Sequence, residues 1–224
     1  MYDGVQKIGN PIDYANDYVE NSIDELMLIN NTGTLYNTKL DLNLLKEIRK
    51  NKALPISAGG GIKNYDDAIN LIDSGCDKVV INSLIHTNPN EVLKIVDSLG
   101  SSSVTGAIQF EKRKDNYVTF YEMARESTGL NLIETIKKYK DLGIGELLLT
   151  DINRDGLQTG LNTEIYDILS DFKKDFPIIL GGGFSNYDEI ENFKEYLSGI
   201  SISSAFHLKK LKVSETIKYR DKVI

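Results

Sequence analysis

Apolar residues along this chain fall into short continuous runs, separated by longer segments in which they recur at three- and four-residue spacing. The runs have strand length and predict strands near 25–30, 54–58, 78–82, 103–109, 146–151, 177–181 and 199–203. The spacing between them predicts helices over 65–74, 91–99, 132–142, 164–174 and 187–197. Asp, Asn or Asn-Pro stands near several starts, and Gly75, Gly143 and Gly199 follow ends. Strand and helix alternate throughout, so the sheet is expected to be parallel. Val79-Val80-Ile81 and Leu147-Leu148-Leu149 carry no polar alternation, as suits a sheet covered on both faces.

The pattern also repeats. Leu54-Pro55-Ile56-Ser57-Ala58-Gly59-Gly60-Gly61 with Asn64-Tyr65-Asp66 recurs as Phe176-Pro177-Ile178-Ile179-Leu180-Gly181-Gly182-Gly183 with Asn186-Tyr187-Asp188, an offset of 122 from Gly59 to Gly181. Glu25-Leu26 matches Glu146-Leu147, Ile81-Asn82-Ser83 matches Ile202-Ser203-Ser204, and His86 matches His207. A period this long means two half-domains rather than a solenoid. Seven βα units in two similar halves favour a closed (β/α)8 TIM barrel of two half-barrels, about 1–102 and 103–224, over an open doubly wound sheet. The whole chain then forms one barrel domain.

Composition narrows the class. With 224 residues, 41% hydrophobic and 26% charged, the chain can build one large core. No apolar run nears the roughly 20 residues of a membrane span, and no signal peptide is visible. The lone Cys76 forms no internal disulfide, which fits a reducing cytoplasm. A net charge of −7 argues against nucleic acid as partner. The basic run Glu111-Lys112-Arg113-Lys114, set between strand-like 104–110 and 117–121, reads as a solvated hairpin tip.

Candidate chemistry is anion binding, present twice. Three glycines at a strand end let backbone N–H groups approach an anion with no Cβ in the way, and a following helical turn adds its positive end. Asn82-Ser83 and Ser203-Ser204 end the next strand of each half and add donors beside each loop. Two such sites across a barrel mouth imply a small ligand with a phosphate at either end. Between them, Leu148 to Gly160 reads LLTDINRDGLQTG, an apolar strand closed by a polar loop.

That loop resembles the corresponding loop of the histidine-biosynthesis barrels. Gly59-Gly60-Gly61-Ile62 and Asp77-Lys78-Val79-Val80-Ile81-Asn82-Ser83 are most similar to the cyclase subunit of imidazole glycerol-phosphate synthase, and the likeness runs from Ile8 onward. The resemblance implies a barrel that takes ammonia from a glutaminase partner, as a heterodimer, and uses it on a bis-phosphorylated ribonucleotide. No metal and no cofactor is implied. It assigns Gly60, Gly61, Asn82 and Ser83 to one phosphate, Gly182, Gly183, Ser203 and Ser204 to the other, and Thr150 and Asp155 to substrate contact. The two histidines read as structural.

Departures from the family are concentrated in its acid–base pair. Gln109, in Gly106-Ala107-Ile108-Gln109-Phe110, stands where the family has its strand-5 Asp, and an amide exchanges no proton near neutral pH. Asn30 replaces a strand-2 Asp. The strand-1 carboxylate is missing, because Ile8-Gly9-Asn10-Pro11 matches the segment before the family's first helix; Asp3 stands too near the chain start to take its place. A ring short of strand 1 leaves 25–30 and 199–203 as open edges. The favoured expectation is a native start earlier than Met1, the other being a different segment in the gap.

At the opposite end, Glu25, Lys78 and Glu146 match the family's salt-bridged ammonia gate, and Asp77 its contact toward the glutaminase; a strand-1 Arg is lost. A retained gate without the acid–base pair suggests a paralogue that relays ammonia, for instance to sugar amidation in polysaccharide synthesis. The alternative is the cyclase subunit of histidine biosynthesis itself, its chemistry surviving Gln109 through another group. The related isomerase of that pathway, encouraged by Thr150-Asp151-Ile152, is a third and weaker reading.

Overall fold

A computed structural model describes residues 7–50, 52–193 and 195–220. Seven parallel strands form the frame: β1 (Leu26–Ile29), β2 (Ile56–Gly59), β3 (Lys78–Ile81), β4 (Val104–Arg113), then, after the antiparallel pair β5 (Asn116–Tyr121) and β6 (Glu126–Asn131), β7 (Glu146–Asp151), β8 (Ile178–Gly181) and β9 (Gly199–Ser201). Their order is β1-β2-β3-β4-β7-β8-β9, all parallel. Each expected strand is present. The sheet curls with helices outside, the α/β arrangement of a TIM barrel. The Lys78 side chain, on β3, reaches both Glu25 ahead of β1 and Glu146 on β7 across the interior.

Helices follow the strands: α1 (Pro11–Glu20), α2 (Gly33–Tyr36), α3 (Leu42–Arg49), α4 (Tyr65–Asp73), α5 (Ser83–Thr87), α6 (Pro89–Leu99), α7 (Leu132–Asp141), α8 (Tyr166–Ser170), α9 (Asp188–Asn192), α10 (Ser204–His207) and α11 (Val213–Arg220). Their starts are set locally. Asn10, Asp41 and Asn64 accept backbone N–H groups of the first turn, and Asn131 with Glu134 closes a capping box at α7. Buried Leu45, Ile48, Ile95, Ile136 and Tyr139 lay the inner faces of α3, α6 and α7 on strands whose own residues, such as Ile56, Val79, Leu147 and Leu180, are almost fully buried.

Two expected helices are shorter than their apolar spacing implies. The segment 164–174 is a 3-10 turn, Thr163–Ile165, followed by α8; beyond Ser170 it runs in tight turns, such as Asp175 N–H to Phe172 O, which still bury Phe172 and Phe176. Of 187–197 only α9 is helical; past it, Leu197 is buried from a turn made by Tyr196 and Leu197 N–H on Phe193 O. The basic run does form a hairpin, with Arg113 opposite Asn116 and Lys114 left-handed at φ 53°.

Among the described residues β1 and β9 stand at the two ends of the strand order and are not hydrogen-bonded to each other. Side chains connect the elements beside these two strands. Tyr18 of α1 packs with Phe206 and Val213 in a cluster of its own, its ring stacked on His207, and Arg220 pairs with Asp24 at 2.5 Å. Asp3 lies outside the described residues.

Candidate active site

Parallel strands all point one way, so their C-terminal ends and the loops after them share one mouth. Gly60, Gly61, Asn82, Ser83, Gln109, Thr150, Asp155, Gly182 and Ser203 there line a single cavity of about 920 Å³. Gly183 and Ser204 stand beside it without lining it. At the other end the same cavity reaches Glu25 and Glu146.

The glycine loops are built alike. Gly61 and Gly183 have φ of +79° and +99°, and a Cβ on either would overlap a carbonyl of the preceding loop, Thr38 O or Gly160 O. Both facts demand glycine, since other residues adopt such φ values only at a cost. Gly183→Ala is therefore expected to cost about 2 kcal/mol or more, from strain and overlap together. Urea denaturation reads this directly, and an undiminished midpoint would contradict it.

Asn82 and Ser83 sit where β3 meets α5. The Asn82 Oδ1 is buried with no hydrogen-bond partner among the described residues, a place where a donor from a ligand would be stabilising. Ser83 Oγ accepts from Glu122 N–H at 3.3 Å, and Gln109 Oε1 accepts from Ala124 N–H at 2.8 Å. Glu122, Met123 and Ala124 are all left-handed, at φ 51°, 57° and 62°, and Met123 lines the cavity. Gln109 and Ser83 thus hold a turn over the mouth that no glycine or asparagine announces in the sequence.

Asp155 is half-buried at this mouth, and burial raises its pKa above the usual carboxylate value. Neighbouring Asp151 faces inward as a structural group. It accepts from Asn162 Nδ2 at 2.7 Å and from Asn153 N–H at 2.9 Å, and lies 3.6 Å from Arg154 Nε.

At the N-terminal end, Lys78 Nζ lies 2.7 Å from Glu146 and 3.5 Å from Glu25. Thr105 Oγ1 donates to the other Glu146 oxygen at 2.7 Å, and Ser57 Oγ donates to Glu25. Burial pulls Lys78 toward neutrality, but the hydrogen bonds and charges of Glu146 and Glu25 outweigh it and hold its pKa above the ordinary value. The hydroxyls of Ser57 and Thr105 are absent from the sequence reading; their signal is a lone polar residue inside an apolar strand. Asp77 is apart from this cluster, paired with Arg49 and accepting from Ile56 N–H at 2.7 Å.

The histidines lie in aromatic packing. His86 stacks on Tyr121 and bonds Tyr139 Oη at 3.1 Å, and burial, aided by Lys138, pushes its pKa down to about 4. His207 bonds the Tyr18 hydroxyl. Among the described residues no helix is long and apolar enough to cross a membrane.

A family model described as "Histidine biosynthesis protein" matches residues 2–212. The imidazole glycerol phosphate synthase subunit HisF of Natranaerobius thermophilus is 32% identical over 213 residues, covering 94% of this chain and 84% of that protein. The HisF subunit of Streptococcus mutans is 30% identical, covering 94% and 85%. That of Sulfolobus acidocaldarius is also 30% identical, covering 96% and 86%.

Proposed function

The chain belongs to the histidine biosynthesis protein family, and from that premise we propose that it is the ammonia-accepting cyclase subunit of an imidazole glycerol phosphate synthase. The carrying observation is one cavity that joins two glycine loops at its C-terminal mouth to a lysine–carboxylate cluster at its other end. In this reading each glycine loop takes one phosphate of a bis-phosphorylated ribonucleotide. Ammonia from a glutaminase partner enters past Glu25, Lys78 and Glu146. Reaction at the mouth then yields imidazole glycerol phosphate and an aminoimidazole carboxamide ribonucleotide.

Gln109 cannot move a proton there, and its carbonyl oxygen is engaged by Ala124 N–H. Asp155 is the carboxyl within the cavity whose burial raises its pKa toward the range useful for acid–base work. It is the group through which the chemistry survives the loss of an aspartate at 109. The HisF names of the relatives support this reading over a relay of ammonia to another acceptor. Gln109, together with Asn30 in place of a second family aspartate, favours the relay. The deciding experiment supplies free ammonium and the bis-phosphorylated ribonucleotide to the purified chain. Turnover is expected; ligand binding by folded protein without turnover would sink the cyclase and leave the relay.

A further inference from the structure

The offset of 122 that relates the glycine loops also relates two carboxylates, Asp67 and Glu189. Asp67 Oδ2 accepts from Lys63 N–H at 2.9 Å, and Glu189 Oε1 accepts from Ser185 N–H at 2.9 Å, each donor four residues earlier and just beyond its glycines. The second oxygen of each carboxylate turns to the loop after the preceding strand. Asp67 Oδ1 lies 2.6 Å from Lys39 Nζ, and Glu189 Oε2 accepts from Leu161 N–H at 2.6 Å. Lys39 and Leu161 are again 122 apart, and each directly follows the carbonyl, Thr38 O or Gly160 O, under which the third glycine is packed.

Sequence proximity, four residues in each half, accounts for the first contact of each carboxylate. It does not account for the second, which crosses to a loop 28 residues earlier in both halves (Lys39 to Asp67, Leu161 to Glu189). A glycine loop left to itself loses much backbone entropy when a ligand fixes it, so prior fixing of its N–H groups raises affinity. Both carboxylates also engage further donors of the protein. Asp67 has the Lys39 ammonium; Glu189 has Ser185 N–H and Oγ, Asn186 N–H and Leu161 N–H.

We propose that Asp67 and Glu189 are equivalent positioning residues, each clasping one glycine loop to its neighbour so that it is preset for one phosphate of the ligand. The inference rests on the phosphate reading of the loops given above. Its test is amide NMR of the whole chain titrated with inorganic phosphate, following Gly60 and Gly61 separately from Gly182 and Gly183. Asp67→Asn is expected to weaken the response of the first pair about tenfold, the scale of one lost charge-assisted hydrogen bond, and to leave the second pair unchanged. Glu189→Gln is expected to do the reverse. Asp67→Glu, which installs the carboxylate used in the other half, restores the first response. Lys39→Ala, at an exposed side chain, weakens the first loop alone and covers the case in which Asp67→Asn fails to fold. Equal weakening of both loops, or of neither, overturns the positioning role while the phosphate reading stands. Absence of any response in the unaltered chain overturns the phosphate reading and the positioning role with it.

Discussion

Asp155→Asn is expected to lower ammonium-dependent turnover by about 10²–10⁴-fold, the usual contribution of one placed acid–base group, without lowering the melting temperature. The two halves of this expectation have one cause. Burial disfavours the ionised carboxylate, so Asp155 has a higher pKa in the folded chain than in the unfolded one. The native state then binds the proton more readily. Stability contributed by this group falls as pH rises from the unfolded value, about 3.9, through the raised folded value, and at neutral pH the carboxyl is a net cost. Asparagine removes the charge at nearly constant shape. Steady-state kcat with free ammonium and thermal unfolding at pH 7 read the two effects. Full kcat in the variant would remove Asp155 from the chemistry, and a sharp fall in melting temperature would mean that its hydrogen bonding outweighs its desolvation.

The frame of this site is legible in the sequence because two signals agree. The continuous apolar runs locate seven strands, and the repeated glycines assign two of them to equivalent places in two halves. Positions around the mouth follow from that, since parallel strands deliver Asn82, Gln109, Thr150 and Ser203 to one end. The helices 164–174 and 187–197 are overread because successive tight turns bury Phe172, Phe176 and Leu197 with nearly the spacing a helix would use. The turn at 122–124 escapes notice for another reason. Left-handed backbone is normally announced by glycine or asparagine, whereas Glu122, Met123 and Ala124 are held there by Ser83 and Gln109, partners distant in sequence. The clasp of Asp67 and Glu189 is visible as a 122-residue offset, but a bare Asp and Glu carry little pattern until their bonds are seen.

The second large effect is expected at the other end of the cavity. Lys78→Met should cost about 2–3 kcal/mol, below the 3–5 typical of a fully buried pair broken on one side, because Lys78 and Glu25 keep 22% and 27% side-chain exposure. Glu146 dominates the cost: it is 7% exposed and would retain only its Thr105 hydroxyl among the contacts described. Glu146→Gln added to Lys78→Met removes the uncompensated charge and should recover part of the loss. The pH dependence follows from the raised Lys78 pKa. The stabilisation is full below the unfolded lysine value, about 10.4, and is lost as pH rises through the higher folded value, so the gap between wild type and Lys78→Met should persist at pH 7 and close only in alkali. Urea denaturation at pH 7 and above pH 11 measures both. Stability alone does not distinguish a gate from a buried ion cluster, but the source of ammonia does. On the gate reading, free ammonium enters at the open mouth, whereas ammonia made by a glutaminase docked at the opposite end passes Lys78. A gate therefore requires that Lys78→Met depress glutamine-dependent turnover more than ammonium-dependent turnover, and an equal loss in both would leave the cluster a purely structural device.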